Sequence, residues 1–218
     1  MSPSRLVKEA VVKGIQVLAL TDHNTARNTP TFERICQSVG ILPLCGLEIT
    51  TVEELHCLAL FSTSQQAIDM GILVESLLPR VLNRPEKWGD QVVVDEEENI
   101  TAEVEIFLGS ATSLSLSELG QEIHRRGGLF IPAHIDRASQ SIFSQIGYLP
   151  QLPYDALEIR KFPPNIETGH TTLVYGSDAH YPENVGQRTC WIDCNTHVPS
   201  FFASLKTALK TGLVQLNP

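Results

Sequence analysis

No stretch of this 218-residue chain approaches the roughly 20 consecutive apolar residues that a membrane-spanning helix needs, so a transmembrane reading has no support. The opening Met1-Ser2-Pro3-Ser4-Arg5 lacks the apolar core of a secretory leader, and the expected compartment is the cytoplasm. Basic residues are scarce: 16 Lys and Arg against 25 Asp and Glu leave a formal charge of −9. A stable nucleic-acid scaffold normally presents a broad basic surface, which this balance does not supply. A nucleotide substrate stays open, because a metal centre brings positive charge locally. The five cysteines are an odd number and do not suggest a disulfide framework. Cys36, Cys45 and Cys57 sit in apolar runs and read as small buried hydrophobes. Cys190 and Cys194 match no common zinc spacing. Low-complexity segments and linkers are absent. With 42% hydrophobic residues the chain can bury one sizeable core, so residues 1–218 are read as a single domain.

What the chain does have is a recurring order of helix, glycine, apolar strand and polar residue. Ser2-Pro3 is a helix start, with Ser at the cap and Pro at the first helical position. That helix runs to about Lys13, Gly14 ends it, and Ile15–Leu20 follows as a strand. Pro30–Val39, Gly40 and Ile41–Leu44 repeat the order, as do Ser117–Arg126, Gly127-Gly128 and Leu129–Ile131. This is the grammar of a β/α barrel or an open α/β sheet. The middle departs from it. Gln65–Leu82 reads as a helix, and Asn83-Arg84-Pro85 and Trp88-Gly89-Asp90 read as loop. Val92–Val94 and Ile100–Phe107 flank an acidic turn at 95–99, and Pro199–Lys210 closes the chain as a helix.

Four apolar runs end within about five residues of a possible metal ligand. Val17–Leu20 leads to Asp22 and His23, Ile41–Leu44 to Glu48, Leu129–Ile131 to His134, and Leu173–Tyr175 to Asp178 and His180. His56 directly precedes a fifth run, Cys57–Phe61. In a parallel sheet, residues just past the strand ends gather on one rim, so ligands scattered along the sequence converge. Imidazoles and carboxylates from several strand ends make a mixed N/O site of the type that holds Zn, Mn or Fe. The pattern is that of a metal-dependent hydrolase.

Leu20-Thr21-Asp22-His23-Asn24-Thr25, Gly46-Leu47-Glu48-Ile49-Thr50-Thr51, Glu54-Leu55-His56, Ile131-Pro132-Ala133-His134-Ile135-Asp136-Arg137 and Gly176-Ser177-Asp178-Ala179-His180 occur in that order. Together they resemble the polymerase-and-histidinol-phosphatase (PHP) superfamily, in particular its small stand-alone phosphoesterase branch. The resemblance implies a distorted seven-stranded β/α (TIM-like) barrel with up to three divalent ions at the C-terminal rim. It implies that Glu48, His56 and His134 share one ion, while His23, Asp178 and His180 serve the others. It also implies a substrate that is a small phosphorylated molecule, a nucleotide or a short oligonucleotide, hydrolysed by metal-activated water. Arg137 is similar to the family's phosphate-binding cation, and Arg160, after the strand Ala156–Ile159, is a second candidate. Asp178 is the candidate for proton transfer.

The family opens with a strand carrying a His-x-His pair, whereas no histidine here precedes His23. The expectation is therefore a barrel without its first strand, with fewer than three ions. The exposed strand edge would be covered by a rearranged segment or in a homodimer, the latter being preferred. Two alternatives follow: a metal-binding module with impaired catalysis, or a barrel hydrolase of C–N bonds. Other polar residues have plainer readings. Asp22 either orients its neighbour's ring from outside the metal or stabilises the turn. His124 suits the end of its helix, His170 and His197 suit the surface, and Glu158 is a weaker ligand candidate.

Overall fold

A computed structural model describes residues 1–217. The elements begin with helix α1 (Pro3–Val12), strand β1 (Val17–His23), α2 (Thr29–Val39), β2 (Leu42–Thr50), β3 (His56–Phe61) and α3 (Ser64–Ser76). A short helix α4 (Pro85–Trp88) and the hairpin β4 (Val92–Val94) and β5 (Ile100–Glu103) form an excursion. Then come α5 (Leu116–Arg125), β6 (Leu129–Pro132), α6 (Ile142–Ile146), β7 (Leu157–Ile159) and β8 (Leu173–Tyr175). Strand β9 (Cys190–Ile192), α7 (Phe201–Thr211) and β10 (Val214–Leu216) complete the described chain.

Local chemistry accounts for the helices. The Ser2 hydroxyl accepts from the Arg5 amide at 3.3 Å and caps α1 beside Pro3. Gly40 ends α2 in the left-handed region at φ +76°, which glycine enters without a Cβ penalty. Buried residues in α1 (Pro3, Leu6, Val7, Ala10), α3 (Ala67, Met70, Gly71, Val74) and α5 (Leu116, Leu119, Gly120, Ile123) share one spacing. Each set falls at i, i+3, i+4 and i+7, one helical face laid on the sheet. Helix α3 stops at Ser76, short of the expected Leu82. Pro79 explains this, because it disfavours helical geometry in the residue before it. Pro85 and Trp88, each read as part of a loop, are the two ends of the single turn α4 (Pro85–Trp88), with proline at its start.

The main sheet has the order β1-β2-β3-β6. Strands β1 and β2 are parallel, while β3 runs antiparallel to both β2 and β6. The sheet is therefore mixed, contrary to the all-parallel expectation. The reversal has a direct consequence: His56, at the start of β3, lies on the same rim as the ends of β1, β2 and β6. In register, His23 stands beside Glu48, Thr50 beside His56, and Cys57 beside Pro132. Strand β2 continues through Glu48 to Thr50 rather than ending at Leu44. Gly46 permits this, since a Cβ there would lie 2.4 Å from the Ala59 carbonyl oxygen of β3.

A closed seven-stranded barrel is not formed among the described residues. The fold is mixed α/β, with the four-stranded sheet accompanied by the pairs β4–β5, β7–β8 and β9–β10. Strands β7 and β8 hold three residues each, too few to continue a long ladder. The β7 segment meets the sheet through single bonds, with the Asp155 amide donating to the Phe130 carbonyl at 3.0 Å and the Ile135 amide to the Glu158 carbonyl at 2.9 Å, while β8 pairs with β7. The core packs Phe32, Phe61, Phe130, Leu47, Ile49 and Met70 between helices and sheet, with Cys36, Cys45 and Cys57 buried among them. No helix is long and apolar enough to cross a membrane among the described residues.

Candidate functional site

The rim gathers four of the expected ligands. His56 Nδ1 lies 3.0 Å from Glu48 Oε1, His134 Nε2 lies 3.3 Å from the same oxygen, and the two ring nitrogens are 3.3 Å apart. His23 Nδ1 approaches the other carboxylate oxygen, Glu48 Oε2, at 3.4 Å. Donor atoms of His23, Glu48 and His56 all lie within 4.8 Å of one another. Glu48, His56 and His134 are buried, whereas His23 faces the opening.

The donor chemistry fits a divalent cation. Ligands about 2.0–2.1 Å from a tetrahedral zinc stand roughly 3.3–3.4 Å apart. The Glu48, His56 and His134 donors already have nearly those separations. One carboxylate and two imidazoles aimed at a common point share few protons, and one cation satisfies all of them together. Electrostatics agree. Burial alone would raise the Glu48 pKa, but hydrogen bonds from His134 and His56 and the charge of His23 hold it well below the usual carboxylate range. Burial depresses the imidazolium form of His23 despite Glu48 beside it. Burial acts the same way on His134, yet its hydrogen bond to Glu48 leaves that pKa raised.

Asp178 and His180 occupy the next part of the rim. His180 Nδ1 is 3.5 Å from Asp178 Oδ1, and the His180 and His23 ring centroids are 5.9 Å apart. Arg137 Nη1 lies 3.6 Å from Asp178 Oδ2. These groups, with Thr50, Gly109, Gln140 and Arg160, line a cleft of about 380 Å³ above Glu48 and His56. A small phosphorylated molecule fits that range. Asp22 stands apart: its Oδ2 accepts from the Asn28 amide at 3.3 Å, and Asn28 also bonds Val92 and Val94, so Asp22 joins the turn that holds the hairpin. His124 pairs with Asp155 at 2.8 Å, away from the cleft, and His170 and His197 are exposed.

Three supporting residues carry more of the site than their sequence context suggested. Asn24, buried at φ +52°, accepts from the Thr50 amide at 3.0 Å and donates to the Leu108 and Ser110 carbonyls at 2.7 and 2.9 Å. It fastens the end of β1 to β2 and to the loop whose Gly109 lines the cleft. Asp136 accepts from the amides of Arg160 and Lys161 at 2.9 and 3.0 Å. Glu158 is buried, accepts from the His134 amide at 2.8 Å, and is pushed up to about 7 by burial. The available signal was positional: Asn tolerates positive φ and has both a donor and an acceptor. His134, Gln140 and Asp178 also have positive φ, at +29°, +54° and +48°. Such conformations concentrate at functional sites, where the surroundings over-determine them.

A family model described as the PHP domain matches residues 1–118. The chain belongs to the PHP domain family. The matched part holds His23, Glu48 and His56, and the segments carrying His134, Glu158, Asp178 and His180 follow it. An error-prone DNA polymerase from Symbiobacterium thermophilum is 44% identical over 45 residues, 21% of this PHP chain and 4% of the polymerase. The lesion-specific endonuclease Q from Pyrococcus furiosus superposes with a TM-score of 0.64 at 17% identity. That match covers 99% of this chain and 53% of the endonuclease, so the chain spans about half that protein's length. A protein from Bifidobacterium adolescentis described as a metal-dependent phosphoesterase superposes at 0.53 with 16% identity, covering 83% of each chain. At these identities the structural likeness is one of fold.

Proposed function

We propose that this chain is a metal-dependent phosphoesterase acting on a nucleotide, a short oligonucleotide or another small phosphorylated molecule. The observation that carries the reading is the convergence of Glu48, His56, His134 and His23 beneath a cleft whose walls present Arg137 and Arg160. These four side chains would hold divalent metal, with Asp178 and His180 extending the donor set. The metal, when bound, lowers the pKa of water and offsets charge on phosphate oxygens. The chain's own groups do the rest. Arg137 and Arg160 hold non-bridging phosphate oxygens with planar guanidinium donors. Asp178, on the wall between Arg137 and His180, accepts a proton at its carboxylate as the phosphorus is attacked. Endonuclease Q acts at lesions, as its description says, and the shared fold supports including nucleic-acid strands among the substrates tested.

The test compares a phosphomonoester, a phosphodiester and a short single-stranded oligonucleotide, each with Mn²⁺ or Zn²⁺. Product release from at least one class is expected. Arg137→Ala should lower the rate roughly 10²-fold, the scale for removing one charge-stabilising donor, with metal content unchanged. Equal loss of metal would show that Arg137 supports the site instead of the substrate. A second reading, a metal-binding module with little turnover, is favoured by the pairing of Asp178 with Arg137 and His180 outside the Glu48 tripod. Tight metal binding without hydrolysis of any of the three classes would select it.

A further inference from the structure

The His134 ring reaches Glu48 and His56 from a main chain in an unusual conformation, φ +29°, which side-chain-bearing residues seldom adopt. Two hydrogen bonds bracket that residue. Its own amide donates to Glu158 Oε2 at 2.8 Å, and the next amide, of Ile135, donates to the Glu158 carbonyl at 2.9 Å. One residue of β7 therefore grips both peptide groups around the ligand, through its side chain and through its backbone. Room for the side chain comes from β8's end: a Cβ on Gly176 would lie 1.7 Å from Glu158 Oε1. Glu158 is 5% exposed and is not among the groups lining the cleft, so it meets neither solvent nor substrate directly.

We propose that Glu158 is a positioning residue of the metal centre. It holds the His134 main chain so that Nε2 stays aimed at the point shared with Glu48 and His56. The proposal rests on the reading of those three residues and His23 as metal ligands. Its physical content is the acceptor oxygen at the right reach, since without it the left-handed turn loses the side-chain half of the grip, keeps only backbone bonds such as Ile135 to Glu158, and holds the ring less firmly on the point shared with Glu48 and His56. Outer groups that orient metal-binding histidines generally change metal affinity by roughly 10–100-fold when removed.

Zinc affinity is measured by competition with a chromophoric chelator, and the visible spectrum of the cobalt-loaded protein reports ligand geometry. Glu158→Ala should weaken zinc binding by roughly 10–100-fold and shift the cobalt bands. Glu158→Gln keeps an acceptor oxygen at the same reach and should restore both readouts to near wild type. Should the alanine variant fail to fold, Glu158→Asp takes its place. It retains the carboxylate but is one methylene too short, so it should lose affinity like alanine. Wild-type affinity and spectrum in a folded Ala or Asp variant overturn the proposal. So does a glutamine variant as impaired as alanine, because the acceptor would then not be the determinant. A wild-type protein that binds neither zinc nor cobalt overturns the metal-site reading and this proposal with it. Failure of Glu158 alone leaves wild-type binding intact.

Discussion

Glu48 and Glu158 are both buried glutamates at one end of the same fold, and both touch His134, yet their surroundings push them in opposite directions. Glu48 faces imidazoles with both oxygens: His56 and His134 on one, His23 on the other. It stays ionised against burial. Glu158 faces peptide groups and a glycine, its side chain accepts from the neutral His134 amide, and burial pushes its pKa up to about 7. Burial alone therefore does not assign a role to a carboxylate. The identity of the groups opposite separates one poised to meet a cation from one that anchors main chain.

The largest expected effect breaks the comparison at Glu48. Glu48→Gln removes the charge and one acceptor oxygen shared by the imidazoles. Zinc affinity should fall by well over the roughly 100-fold that bounds typical outer-partner losses. Competition titration of the two glutamine variants side by side decides the matter. If Glu48→Gln and Glu158→Gln lose affinity equally, the two carboxylates do not differ in role.

A second test sharpens it through pH. A carboxyl whose folded pKa is about 7 binds a proton in the folded state that the unfolded chain has released above about 4.5. Between those values the folded state holds more protons, so the metal-free protein should lose stability as pH rises from about 4.5 through 7. The shift sets an upper limit of about 3 kcal/mol. Glu158→Gln carries no such penalty. Denaturant unfolding of the metal-free proteins should find the variant more stable than wild type at pH 8 and similar to it below pH 4.5. Parallel pH profiles would show that Glu158 is not the group responsible.

Much of this rim was legible from residues read one at a time. Ser2-Pro3 and Gly40 mark helix ends through preferences that act within a few bonds, and apolar runs leading to His23, His134 and Asp178 mark strand ends. Pairing was not legible, because an apolar run such as Cys57–Phe61 reads the same in either direction. The antiparallel course of β3 brings His56 to the rim by its start, where a parallel strand would have carried it to the opposite end. The open arrangement of short β7 and β8 was hidden for the same reason. Glu158 looked like a weak ligand because its partners, His134 and Gly176, lie 24 and 18 positions away. A buried polar residue acquires its role from what stands opposite it, and local pattern does not contain that information.

Asp136 offers the smallest effect and the finest test of the same distinction. Like Glu158 it uses a carboxylate to hold main chain, but the amides it accepts from belong to Arg160 and Lys161, and Arg160 lines the cleft. The two carboxylates thus run in opposite directions between neighbouring segments: Glu158 of β7 restrains the turn after β6, and Asp136 of that turn restrains the end of β7. If each acts only on what it holds, Glu158 governs metal affinity and Asp136 governs the presentation of a phosphate-binding cation. Asp136→Ala should then raise KM for the phosphorylated substrate by about fivefold, near the 1 kcal/mol of an ordinary hydrogen bond. Its kcat and zinc affinity should stay near wild type. The hydrogen bonds to Arg160 and Lys161 are solvent-exposed, so water can replace the lost acceptor and little stability should be lost. Steady-state kinetics with zinc titration checks this. A fall in zinc affinity on losing Asp136 would mean that the two segments move as one unit, and the separation of roles between metal and phosphate would fail.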